Sequence, residues 1–277
     1  MKSYFRALRQ VLRLARLVLL AGLVWVGVLA ASRFGLITLP EALVGPSVTP
    51  AAAAVEAQKV IQNEMTAVKT HDRTLLEASE TGPALETDQA AFANPAPLEA
   101  AEPFSIVQVA VPHQSGYPAR FLAVASTQVG GKGIFGIYSF VKSNARSPWL
   151  SDFNVFTDAG QPRPIFRIDP QGWTNEPAQS AFLYTPDQAA QGYASYLGET
   201  WATVPATGTK FADGPYISSY RHDDQLFLQN TVHLKDQATG SYRPEQLTRT
   251  YQLTDGGGFV MSSQRVERQV IPPPEGA

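Results

Sequence analysis

Four histidines, His71, His113, His222 and His233, are the side chains best suited to hold a metal or to move a proton near neutral pH. No two of them are close enough in sequence to form the i, i+4 pair with which one helix grips zinc. His222 falls in a polar turn, Tyr220–Asp224, and His233 on the polar row of a predicted strand, so all four read as surface histidines. Gly130-Gly131-Lys132-Gly133 and Asp255-Gly256-Gly257-Gly258 invite a phosphate-binding reading. A phosphate loop has GxxxxGK[ST] opening a helix, whereas both stretches here run into strand-like sequence and read as turns. Tyr193, Tyr196 and Trp201 are able to line a pocket between helix and sheet, but aromatics at helical spacing are more often core. The chain has 0 cysteines, which removes disulfides, thiolate metal sites, cysteine nucleophiles and a lipid-modified cysteine together. On residues alone, then, no catalytic, cofactor-binding or metal-binding residue is assigned and no cofactor is expected.

The charge distribution says where such a chain sits. Leu17–Ala31 is apolar throughout apart from the indole of Trp25, and it follows Lys2, Arg6, Arg9, Arg13 and Arg16 with no acidic residue among them. The positive-inside bias places the N-terminus in the cytoplasm and the body outside the cell membrane. A span needs about 20 apolar residues and this stretch is shorter, unless Val11, Leu12 and Leu14 join it while Arg13 and Arg16 snorkel. A secretory leader fits as well, with small residues at Ala30 and Ala31 for the cut. The uncleaved single-pass anchor is favoured, because Phe34, Leu36, Ile37 and Leu39 continue the apolar character. Residues 1–40 hold six basic and no acidic side chains, leaving 16 basic and 24 acidic residues in a body of net charge about −8. Nucleic-acid affinity rests on Lys and Arg displacing counterions, so nucleic acid is excluded as a partner.

The elements that position these residues follow from periodicity. After a basic tail and transmembrane anchor over 1–33 and a stalk over 34–49, Thr49 caps a helix whose first position is Pro50. Ala54, Ala57, Ile61, Met65 and Val68 form its apolar stripe. Asp72 caps a shorter helix holding Leu75 and Leu76, Gly82-Pro83 ends it, and a third helical piece covers Ala84–Phe92. The period then drops to two: Val107–Val111, Pro118–Val129, Ile134–Lys142 and Trp149–Phe156 read as antiparallel strands, the middle pair joined through Gly130–Gly133. A short strand is predicted over Ile165–Ile168 in a proline-rich linker spanning 161–184, which separates a first α+β domain over 50–160 from a second over 185–270. The second domain replays the first: Thr185-Pro186 caps a helix, and Leu226–Lys235, Leu247–Leu253 and Phe259–Val270 read as strands. Residues 271–277 form an extended, disordered tail.

Asp72 with Leu75-Leu76, Gly82-Pro83-Ala84, Gly116-Tyr117-Pro118-Ala119-Arg120-Phe121, Pro148-Trp149 and Asp255-Gly256-Gly257 resemble the nuclear-transport-factor-like superfamily of cone-shaped α+β domains. That superfamily includes ketosteroid-isomerase-like members, and the whole chain is similar to membrane-anchored or secreted actinobacterial proteins of unknown function that carry such domains in tandem. The fold so implied is an N-terminal transmembrane helix followed by two cones, each with helices packed on a curved antiparallel sheet. A ketosteroid-isomerase-like site pairs a carboxylate base with a tyrosine in an apolar mouth. Asp152, Tyr138 and Tyr117 supply such groups in the first domain, and Asp213, Tyr216 and Tyr220 in the second. Asp152 alternates with Phe153 and is expected to point outward, which favours no catalysis. The expected function is an extracytoplasmic, membrane-anchored, non-catalytic binding or scaffolding module. Its partners are the membrane through Leu17–Ala31 and another envelope protein or a small apolar ligand, and the alternative is a small-molecule isomerase or cyclase.

Overall fold

The computed structural model of the chain describes residues 46–93, 103–129, 131–157, 162–175, 177, 184–198, 215–233, 237–247 and 250–271. The predicted anchor Leu17–Ala31, the stalk as far as residue 45 and the tail after Ile271 lie outside them. Among the described residues no helix is long and apolar enough to cross a membrane. The chain divides into two compact units, Met1–Asn175 and Glu176–Ala277.

The first unit opens with α1 (Pro50–Thr70), where the Thr49 hydroxyl accepts from the Ala52 N–H at 3.3 Å and proline occupies the first turn. Ala53, Ala57, Val60, Ile61, Glu64 and Ala67 are its buried face. The helix stops at His71, which takes the left-handed conformation at φ 53° and closes the last turn onto Ala67 and Val68. Asp72 caps α2 (Arg73–Glu77) by accepting from the Leu75 N–H at 3.0 Å. Gly82, at φ 56°, then begins α3 (Gly82–Ala93) as well as ending what precedes it.

Four long strands follow as predicted: β1 (Ser105–Pro112), β2 (Ala119–Val129), β3 (Lys132–Lys142) and β4 (Leu150–Phe156). β2 and β3 pair without interruption from Ala119↔Lys142 to Val129↔Lys132. Trp173–Thr174, inside the stretch read as linker, adds β5 parallel to the end of β1, so the sheet is mixed and ordered β4-β3-β2-β1-β5. Phe166 sits beside it, its N–H and carbonyl both bonded to the Gln108 amide. On one face of this sheet Ala119, Phe121, Ala123, Tyr138, Phe140 and Trp149 pack against Ala53, Ala57, Val60 and Ile61 of α1. Small residues on both sides let helix and sheet approach, and the rings of Phe121 and Phe140 stack at 4.8 Å between them.

The second unit corrects the expected repeat. α4 (Pro186–Leu197) has the predicted Thr185 cap, completed by Gln188 into a capping box. The next element, α5 (Pro215–His233), is a 19-residue helix where a strand through Leu226 and Leu234 was expected. Its inward stripe is Asp224, Phe227, Leu228 and Thr231, with Asp224 and Thr231 buried outright. Half of that i, i+3, i+4, i+7 stripe is polar, so apolar alternation alone pointed to the wrong period. β6 (Gln237–Leu247) then pairs antiparallel with β9 (Ser262–Ile271), and β7 (Tyr251–Gln252) with β8 (Gly258–Phe259) across the turn at Asp255–Gly257. Gly256 there is at φ 90°, which favours glycine, and Asp255 accepts from the Gly257 N–H at 2.8 Å. The architecture expected, a transmembrane helix followed by two tandem cones, is therefore corrected. The described chain is α+β, with one mixed five-stranded sheet in the first unit and two-stranded ribbons in the second.

Candidate functional site

The residues singled out in sequence do not assemble into one site. Asp152 is buried, not outward, and its carboxylate pairs with the Arg120 guanidinium. A bulge lies here: Ser139 faces Phe153 and Phe140 faces Ser151, so Asp152 is the extra residue, the alternation breaks there, and Asn154 comes to the face that carries Tyr138. Tyr117 is partly buried against the main core. His71 leans on Phe92 at 5.3 Å, His113 stacks on Trp173 at 4.6 Å, and His222 is exposed. Tyr193 and Tyr196 pack with Ala194, Leu197 and Tyr242, as core aromatics do. Gly131 and Gly256 lie in turns that lead into strands. Asp213 and Trp201 lie outside the described residues, as do the side chains of Tyr216, Tyr220 and His233.

Tyr138 is the exception, because three carboxyl groups that sequence reading did not single out converge with it. Glu64 comes from α1, Glu80 from the residue pair after α2 and Asp88 from α3, and one carboxylate oxygen of each lies within 4.8 Å of the others. Each is fixed by its element. Glu64 occupies the buried stripe between Val60 and Ala67. Glu80 is locked by its own N–H to Leu76 at 2.9 Å and by a bridge that ties Ser79 and Thr81 to Ser151 of β4. Tyr138 and Asn154 are cross-strand partners on β3 and β4, and the Asn154 amide donates to Glu64 Oε1 at 3.0 Å. Gly136 leaves room for the tyrosine ring, since a Cβ there would stand 2.5 Å from Tyr138 Cε2.

Electrostatics in this cluster are unfavourable to charge. Glu64 is 4% exposed and Glu80 1% exposed. Burial, reinforced by the neighbouring Asp88 and opposed by the Asn154 amide, pushes Glu64 up to about 7. Burial and the adjacent Glu64 and Asp88 push Glu80 up to about 10. Asp88, on the half-exposed side, is also raised by burial. The Tyr138 phenol is raised well above its ordinary value, first by burial and then by all three carboxylates, which puts its hydroxyl in their field. Glu64 Oε2, both oxygens of Glu80 and the Tyr138 hydroxyl are closed to water and take no hydrogen bond from a donor among the described residues. A proton shared by Glu80 with Glu64 or Asp88 is the hydrogen bond open to it. Chemically the cluster can store a proton or hold a cation, and a molecule larger than water does not reach these four atoms as they stand. The sequence signal for it was a glutamate in step with the apolar stripe of α1.

The second unit holds a different ionic group. Asp224 is fully buried, accepting from Tyr242 at 2.7 Å and from Arg268 Nε and Nη2 at 3.0 and 2.6 Å. Tyr242 is raised by burial and by its bond to Asp224. The three donors and both carboxylate oxygens are matched, which is how a structural network is built.

An open groove of about 590 Å³ runs along the first unit between α1 and the start of β1, lined by Ala54, Val55, Gln58, Lys59, Gln62, Ser105 and Ile106. Val55 is 68% exposed within it. No curated protein and no solved structure matches the chain. The model of a domain of unknown function, DUF8094, matches residues 45–276, which take in both units, and the chain belongs to that family.

Proposed function

We propose that the chain is an exported, non-catalytic module that binds a peptide segment of another envelope protein in the groove between α1 and β1. The composition of that groove carries the reading. Ala54, Val55 and Ile106 offer apolar contact, Gln58, Gln62 and Ser105 offer hydrogen bonds, and Lys59 offers one cation. Such a lining holds a chain, and it contains no carboxylate or histidine to serve as a general base. The neighbouring start of β1 supports an extended ligand, since among the described residues β5 pairs with β1 at Val111 and Pro112 and Phe166 lies against Gln108, both away from Ser105 and Ile106. The basic head before Leu17–Ala31 supports export of the body under either reading of that stretch.

A photocrosslinking residue placed at Val55 in the producing cell tests this. One discrete adduct, lost when Ile106 is changed to Asp and missing from a probe at the exposed Glu86, is the expected result. Adducts equal at both positions would end the proposal, and a small apolar ligand recovered in place of a peptide would redirect it. A second reading, a small-molecule isomerase or cyclase, draws on the meeting of Glu64, Glu80 and Tyr138. It ranks lower because those oxygens are closed to water. Turnover abolished by Tyr138→Phe and by Glu64→Gln would reverse the order.

A further inference from the structure

We propose that Glu64, Glu80 and Asp88, with the Tyr138 hydroxyl as a neutral fourth ligand, form a binding site for a divalent oxygen-preferring cation of the calcium type. This goes beyond the groove and stands on separate residues. Three carboxylates alone would not carry it, since acidic clusters are common; Tyr138 is the independent observation. It is fully buried, its hydroxyl has no hydrogen-bond partner among the described residues, and all three carboxylates act on it. Buried hydroxyls without a partner are rare, so this one calls for an explanation.

Counting oxygens separates a cation from shared protons. Four oxygens need a partner: Glu64 Oε2, Glu80 Oε1, Glu80 Oε2 and the Tyr138 hydroxyl. Protons shared among the carboxyl groups pair these oxygens only two at a time. A calcium-sized ion with six to eight oxygen ligands takes every one of them at once, and also neutralises charge that burial makes costly. Spacing agrees: oxygens across such an ion, bound at about 2.4 Å, stand about 4.8 Å apart and adjacent ones less. The three carboxylates lie within that limit. The chemistry selects calcium over magnesium, because magnesium keeps several of its waters and these oxygens are closed to water. Zinc prefers nitrogen and sulfur, which the cluster lacks. Asn154 acts as a positioning residue, fixing the Glu64 carboxylate from β4. Asp88 is half-exposed and marks the side from which an ion enters.

The experiment uses the full chain, stripped with a chelator and titrated with calcium, magnesium or terbium. Calcium at about 100 times its Kd is expected to raise the unfolding midpoint by roughly 5 to 10 °C. Terbium, a luminescent calcium stand-in, is expected to light up on tyrosine excitation, to be displaced by calcium and not by magnesium, and to lose most of that signal in Tyr138→Phe. Glu80→Gln should abolish the calcium shift while unfolding, in chelator, at or above the midpoint of the unmutated chain. A merely structural glutamate would not give that crossing. Should Glu80→Gln fail to fold, Asp88→Asn on the half-exposed side takes its place and is expected to weaken calcium binding at least 10-fold. A calcium shift absent from the unmutated chain, together with no calcium-displaceable terbium signal, overturns the proposal and leaves the cluster held by shared protons.

Discussion

Between pH 5 and 9 the chelated protein should lose stability as pH rises, and the reason lies in two glutamates. Unfolded, both titrate near 4.5, whereas in the fold Glu64 is pushed up to about 7 and Glu80 up to about 10. Above pH 4.5 the native state therefore binds more protons than the unfolded state, and stability falls with pH until each folded value is passed. Thermal midpoints in chelator should decline through both glutamates up to about pH 7 and through Glu80 toward pH 9. Glu80→Gln, which stays neutral, should flatten the upper part of that decline, and an unchanged slope would show that Glu80 is not the buried acid. Asp224 in the second unit has its charge paired. Asp224→Ala strands the Tyr242 hydroxyl and the Arg268 guanidinium; discounted for the partial exposure of Arg268, the expected cost is about 2 to 3 kcal/mol in denaturant unfolding. These groups were hidden in the sequence for one reason. A carboxylate on a helix face reads as solvated, and only its registry with Val60 and Ala67, or with Phe227 and Thr231, betrays burial.

Elements were legible wherever two local signals agreed. Thr49-Pro50 with an apolar stripe, Asp72 before Leu75-Leu76, and the alternation of β2 and β3 each combine a terminus signal with a period, and the structure follows them. Failure came where burial is polar or pairing is irregular: α5 buries Asp224 and Thr231, and β4 carries a bulge at Asp152 that no period encodes. β3 is also sensitive at a site that looks permissive. Gly136 lies mid-strand and is followed two residues later by Tyr138, whose ring, with that of Phe156, fills the space above it. Gly136→Ala should therefore destabilise the first unit by about 1 to 3 kcal/mol, where a strand glycine otherwise gains from alanine. Near-UV circular dichroism should report the displaced tyrosine, and an unaltered spectrum with full stability would refute the packing argument. By comparison Thr49→Ala should cost about 1 kcal/mol, read by urea unfolding, as loss of a single cap does.

At the scale of the whole chain, one family domain covers two units of unequal build. The first has a continuous core in which α1 and four strands bury Ile61, Phe121, Tyr138, Phe140 and Trp149 together. The second has a buried cluster of Ala194, Tyr196, Leu197 and Tyr242, supplemented by the Asp224 network, and its longest strand pair is a two-stranded ribbon. Two-stranded ribbons are marginal alone, and among the described residues fewer apolar side chains are buried in this unit than in the first, which offsets less of the chain entropy lost on folding. Without a cysteine in the sequence no disulfide makes up the difference. Separated between Asn175 and Glu176, the halves should therefore behave unequally. A fragment of residues 45–175 is expected to unfold in one cooperative transition, because the residues of its core cluster and of the Glu64, Glu80, Asp88 and Tyr138 group all belong to it. A fragment of residues 176–277 is expected to show reduced helicity and a broad transition. Circular dichroism melts of the two fragments beside the full chain decide the matter: a sharp transition in the second fragment would mean that Asp224 and its partners stabilise that unit far beyond its apolar burial, while a broad one in the first would mean that its sheet depends on the unit that follows.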